Sequence, residues 1–127
     1  MRSCHLTALI VDDDMIVRMI HQRMLNSVGV KNEAVENGKE AIDLHNSGQS
    51  FDLILMDIDM PVMNGIEVTK KLRSMGIDSM IAGVSARYID EHTQEFIEAG
   101  LDEYLEKPLN IAKLTSIIHR INKFHIR

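Results

Sequence analysis

The stretch Phe51 to Pro61, FDLILMDIDMP, constrains this chain most. Four apolar residues, Leu53 to Met56, run without a polar break into Asp57, and a second carboxylate follows at Asp59. So short an apolar run, closed by a proline, reads as a strand buried on both faces, although a buried helical turn would look the same by periodicity. In an open parallel sheet the carboxyl ends of the strands face the crevice where ligands bind. The reading therefore places Asp57 where chemistry is possible. Asp shortly before Pro is also ordinary turn chemistry, so Asp57 alone does not decide the matter.

The rest of the chain repeats this plan. Leu6 to Val11 is a first buried strand ending in Asp12, Asp13 and Asp14. A helix from Met15 to Asn26 follows, with Ile16, Met19, Ile20 and Met24 at helical spacing as the expected inner face and Arg18, Gln22 and Arg23 as the wet one. Gly29 ends it. A second strand covers Val30 to Val35. Asn37 and Glu40 then have capping-box spacing and open a helix that turns Ala41, Leu44 and His45 inward and closes at Gly48. After the central strand, Asn64-Gly65 starts a helix through Ile66, Thr69 and Leu72, stopped by Gly76. A fourth strand, Ser79 to Val84, ends at Ser85. The helix after it has Ile89, Thr93, Phe96 and Ile97 on one face, Asp90 as a cap and Gly100 as its end. A fifth strand, about Glu103 to Leu105, ends at Lys107-Pro108. The last helix starts from Asn110, turning Ile111, Leu114, Ile118 and Ile121 inward and leaving Lys113, Arg120 and Lys123 wet. Five strands alternating with five helices through short connections require βα units, hence a parallel sheet with helices on both faces in one α/β domain covering residues 1–127.

Composition removes several functions. The chain has 127 residues, 45% hydrophobic, and a net charge of −5, which argues against the clustered Lys and Arg that a nucleic-acid backbone needs. One cysteine, Cys4, forms no internal disulfide, and the longest apolar run is far shorter than the roughly 18 residues of a membrane span. The expectation is a soluble, monomeric, cytoplasmic protein, with the nucleus also open to it, that binds neither DNA nor membrane.

The chemistry lies in how the strands end. Asp12 and Asp13, Asp57 and Asp59, Ser85 and Lys107 terminate four strands and gather at one edge of a parallel sheet. Converging carboxylates repel one another unless a cation sits among them. An all-oxygen set favours a hard ion, and Mg2+, which takes one or two carboxylates plus a phosphate and keeps several waters, fits best. With Lys107 and the metal neutralising phosphoryl oxygens and Ser85 donating a hydrogen bond, Asp57 would be the nucleophile that forms an aspartyl phosphate. Each group has a plainer use. The aspartates can dress a helix N-terminus, Ser85 can be a loop hydroxyl and Lys107 a surface charge, and the nine methionines serve as core filler. Their meeting on neighbouring strand ends, while the second strand ends in Ala34-Val35, favours a site.

The set IVDDD, LILMD with MP and NG after it, GVSA and YLEKP closely resembles the receiver domain of two-component response regulators, from Leu6 to Ile121. Within that family the chain is most similar to plant type C response regulators and to receivers of plant hybrid histidine kinases, which implies cytokinin signalling. The resemblance implies a flavodoxin-like strand order 2-1-3-4-5 and a cis peptide at Lys107-Pro108. It implies Asp57 as phosphoacceptor, Mg2+ held by Asp13, Asp57 and the backbone carbonyl of Asp59, and Asp12 supporting the metal through water. Ser85 and Lys107 would hold phosphoryl oxygens, with Ser85 and Tyr104 forming the switch. Its partner would be a histidine-containing phosphotransfer protein or a histidine kinase, docking on Met15 and Met19 of the first helix and on Pro108 and Leu109. With Asp59 placed to orient water and no attached output segment, the expected role is a phosphate sink. The alternative is a haloacid-dehalogenase-like phosphatase, suggested by Asp57-Ile-Asp59. In that family the Asp-x-Asp strand comes first and the acidic pair last, the reverse of the order here.

Overall fold

A computed structural model describes residues 5–86 and 93–125. In chain order the elements are β1 (Thr7–Val11), α1 (Met15–Ser27), β2 (Lys31–Val35), α2 (Gly38–Asn46), β3 (Leu53–Asp57), α3 (Gly65–Ser74), β4 (Met80–Ser85), α4 (Thr93–Ala99), β5 (Glu103–Glu106) and α5 (Ile111–His125). The strands pair in parallel in the order β2-β1-β3-β4-β5. Both the alternation read from the sequence and the strand order implied by the resemblance hold.

The apolar strands sort the helices. On one face Ala8 and Ile10 of β1, Leu53 and Leu55 of β3, and Ala82 and Val84 of β4 bury against Leu25 of α1 and Leu114, Ile117, Ile118 and Ile121 of α5. On the other, Leu9, Val11, Ile54, Met56 and Ile81 meet Ala41 of α2, Ile66, Val68 and Leu72 of α3, and Ala99 of α4. Every residue of β3 is buried, as expected of a central strand covered on both sides. The edge strand β2 exposes Lys31 and Glu33, charges that discourage pairing with another chain.

The helix α1 presents a different face from the one its sequence suggests. Met15, Ile16, Met19 and Ile20 are 48–60% exposed, whereas His21 and Leu25 are buried and Val17 and Val28 half-buried. Arg18, expected wet, is half-buried and folds back, its guanidinium donating to the Asp12 carbonyl at 2.7 Å. The stripe Val17, His21, Leu25 and Val28 repeats at helical spacing as well as the more apolar one does. A neutral imidazole packs like an apolar group, so periodicity finds the helix without fixing which face goes in.

Smaller corrections follow the same logic. Ile97 of α4 and Ile111 at the start of α5 are 59% and 43% exposed, and Ile117 takes the inner position on α5. Of the other α4 expectations, Ile89, Asp90 and the side chains of Thr93 and Phe96 lie outside the described residues, as do Cys4 and the Lys123 side chain. At α2 the Asn37 side chain accepts from the Glu40 N–H at 2.9 Å, but the Glu40 carboxylate reaches back to the Glu36 N–H. The reciprocal capping box stands at α3, between Asn64 and Glu67. Gly29, Gly48, Gly76 and Gly100, the helix ends expected from sequence, all have positive φ, the left-handed turn that glycine makes without steric cost.

Candidate functional site

Three aspartates in a row after β1 divide the work. Asp14 caps α1, its carboxylate accepting the N–H groups of Ile16 at 2.8 Å and Val17 at 3.3 Å. Asp12 is buried at 2% exposure and accepts the Asp14 N–H at 2.9 Å, while Asp13 is exposed. Asp57 ends β3 at 3% exposure. One carboxylate oxygen from each of Asp12, Asp13 and Asp57 falls within 4.8 Å of the others. Negative oxygens held that close in a partly buried pocket suit a hard divalent ion that replaces lost water with carboxylates.

A cation arrives from the neighbouring loop. Lys107, one residue beyond β5, places Nζ 3.3 Å from Asp12 Oδ2 and 3.4 Å from Asp57 Oδ1. Its N–H donates to the Ser85 carbonyl at 2.8 Å, tying the β5 end to β4. The peptide Lys107-Pro108 is cis. Burial pushes the Asp57 carboxyl up to about 6, with the Asp12 charge adding to the rise and the Asp59 N–H and Lys107 opposing it. Burial alone would lower the Lys107 ammonium; Asp57 and Asp12 overcome it and hold the group above its ordinary value. The site therefore keeps its cation charged and makes its central carboxyl harder to ionise than an ordinary one.

For Asp59 the resemblance implies a metal contact through the backbone carbonyl, and its side chain is directed elsewhere. Its carboxylate is outside the cluster of Asp12, Asp13 and Asp57, and accepts the buried Ser85 hydroxyl at 2.6 Å instead. Its N–H donates to Asp57 Oδ1 at 3.0 Å. The reason is the turn: Ile58 pairs its N–H with the Val84 carbonyl, extending the sheet one residue past Asp57, so the next side chain swings toward the end of β4.

Other expected residues divide. Ser85 is fully buried at the edge with the aspartates. Tyr104 lies half-buried in β5 opposite Gly83, packed against the α3 side of the core. Met15, Met19 and Pro108 are exposed, but Leu109 is 7% exposed and belongs to the core under α5. It offers a partner almost nothing, because the chain turning into α5 must cover the end of β5. Two residues escaped the sequence reading. Arg18 braces the Asp12 backbone, and the buried ring of His21, its pKa lowered by desolvation, feels the charges of Asp12 and Lys107. Their signal was positional, since both lie on the side of α1 that continues the Asp12 turn.

Residues 8–119 match the response regulator receiver domain. The chain belongs to that family. Two-component response regulator 24 of Arabidopsis thaliana is 57% identical over 117 residues, 92% of this chain and 84% of the relative. Response regulator ARR22 of the same plant is 45% identical over 118 residues, 91% and 83% of the two chains. Among solved structures, the receiver domain of a sensor histidine kinase from Pseudomonas aeruginosa, with a magnesium ion coordinated in its active-site cleft, superposes with a TM-score of 0.80 at 27% identity, covering 94% of this chain and 99% of that one. The protein is thus a receiver of the two-component phosphorelay type, similar to plant response regulators. The haloacid-dehalogenase alternative finds no support. Among the described residues no helix is long and apolar enough to cross a membrane.

Proposed function

We propose that this receiver takes a phosphoryl group from the phosphohistidine of a phosphotransfer protein or histidine kinase onto Asp57, and passes it on to water. The observation that carries the reading is the burial of Asp57 at the end of β3 beside Asp12, Asp13 and the ammonium of Lys107. Asp57, Asp13 and the Asp59 carbonyl would hold Mg2+, with Asp12 beside them. The ion would neutralise charge on the phosphoryl oxygens.

The chain's own groups do the rest. An Asp57 oxygen attacks phosphorus as the bond to the histidine nitrogen breaks, and the imidazole keeps the electron pair. With its carboxyl raised only to about 6, Asp57 is mostly ionised at neutral pH and needs no separate base. Lys107 balances the charge that moves from the donor to Asp57. Ser85 donates to a phosphoryl oxygen, and with Tyr104 reports the phosphorylated state.

The exposed apolar stripe Met15, Ile16, Met19 and Ile20 begins one residue past Asp14 and borders the site. A patch of that kind marks a docking face, and a helical partner laid over α1 would bring its histidine to Asp57. Pro108 rims the same edge, without Leu109. For the return step, the exposed Asp59 carboxylate stands two residues from Asp57, able to orient an attacking water. The test is a time course of a phosphorylated phosphotransfer protein with catalytic amounts of this receiver and Mg2+. Loss of many equivalents of phosphohistidine is expected. A halt at one equivalent, with a lasting aspartyl phosphate, would replace the sink with a switch.

A further inference from the structure

The Ser85 hydroxyl is fully buried and donates to the Asp59 carboxylate at 2.6 Å. A hydroxyl has one proton to give. While it is given to Asp59, it is not available to a group on Asp57. Asp59 is itself fixed from the other side, since its N–H donates to Asp57 Oδ1 at 3.0 Å, so one residue touches both the acceptor carboxylate and the hydroxyl. We propose that Asp59 is a positioning residue that holds the Ser85 hydroxyl in the unphosphorylated protein and competes with the incoming phosphoryl group for its proton. This rests on the reading of Asp57 as acceptor and deepens it.

The chemistry of the two acceptors makes the competition close. A short O–H···O bond to a carboxylate is among the stronger hydrogen bonds, and so is one to a phosphoryl oxygen. Exchange therefore gains little, and the energy that would favour the phosphorylated state is partly used to release Asp59. Once Ser85 turns away, the carboxylate loses that donor beside a new anion and is ready to bind water. A residue on an exposed turn thus sets how readily the phosphorylated state forms, without touching the phosphorus.

Two measurements test it. In the metal-free protein, proton NMR of the Ser85 hydroxyl reads the bond with no phosphoryl present. The proton should be protected from exchange in the wild type and in Asp59→Asn, whose amide oxygen still accepts, and exposed in Asp59→Ala. Its absence in the wild type would overturn the latch. Next, the affinity for beryllofluoride with Mg2+ is compared across wild type, Asp59→Ala, Ser85→Ala and the double variant. Asp59→Ala should tighten binding roughly tenfold, and most of that gain should vanish in the Ser85→Ala background. An equal gain in both backgrounds would show simple relief of charge repulsion and overturn the proposal. No beryllofluoride binding by the wild type, with the protected proton intact, would instead remove Asp57 as acceptor and the competition with it.

Discussion

The two ends of the sheet use the same kinds of side chain to opposite effect. At the amino end the acidic groups are satisfied. Asp52 accepts the Thr7 N–H at 2.9 Å and its hydroxyl at 3.3 Å, and Ser79 donates to the Phe51 carbonyl. Asp102 takes the Ile81 N–H at 2.9 Å and the guanidinium of Arg73 at 2.8 Å. That guanidinium also serves the carbonyls of Gly100, Ile77 and Ser79, knitting the end of α3 to the starts of β4 and β5. At the carboxyl end one ammonium, at 3.3 and 3.4 Å, faces the clustered carboxylates of Asp12, Asp13 and Asp57. Completed hydrogen bonds make the first end a fastening. Crowded charge leaves the second with a repulsion that a bound cation would relieve.

The sharpest way to break this contrast is to remove one carboxylate from each end. Asp57→Asn should abolish labelling by a phosphodonor, a loss of at least about a hundredfold, while Asp52→Asn leaves labelling unchanged. Equal losses on acid-labile label would end the distinction. Next in size, Asp13→Ala should weaken Mg2+ about tenfold or more by titration, with stability unchanged or slightly raised because repulsion is relieved. Undiminished affinity would move the metal elsewhere.

At the other end, Arg73→Ala should cost about 2–4 kcal/mol in denaturant unfolding, since the carbonyls of Gly100, Ile77 and Ser79 lose their donor, and should leave Mg2+ affinity alone. The smallest effect is one of pH. The folded Asp57 carboxyl, at about 6, lies above its value in the unfolded chain. Its ionisation therefore costs the folded state, and wild-type stability from this group is lost as pH rises through 6. In chelator, Asp57→Asn should gain about 1–2 kcal/mol at pH 7.5, and the gain should fade toward pH 4. A gain constant across that range would assign the effect to packing.

How far the sequence could be read follows the same division. The strand ends were legible because an apolar run that stops at a carboxylate has one natural place in a parallel sheet, so Asp12, Asp13, Asp57, Ser85 and Lys107 were found on the right edge. Orientation was harder. α1 carries two stripes with one period, and the stripe holding His21 went inward. Glu40 and Glu67 both stand three residues after an asparagine, yet only Glu67 closes a capping box, because the chain before α2 offers the Glu36 N–H instead. Asp59 went to Ser85 rather than to the other carboxylates through a single backbone pairing, Ile58 to Val84, that no side-chain pattern records. Face and rotamer depend on contacts from distant segments, whereas strand and helix depend on neighbours.

Gly65, the first residue of α3, carries a consequence for how variants of this protein are interpreted. A methyl group there would sit 2.4 Å from the Asp57 carbonyl and 2.9 Å from the Ile58 Cα, although the glycine's φ is not positive and any residue could adopt its backbone. A saturation screen scored on signalling would rank this position with Asp57 and Lys107, and a reader of that ranking would assign it a chemical role. Its intolerance is one of volume: the helix starts so close to β3 and the residue after it that an added carbon must move one of them. Mutational sensitivity here measures distance to the neighbouring backbone, and the want of room for one carbon would be mistaken for a functional group.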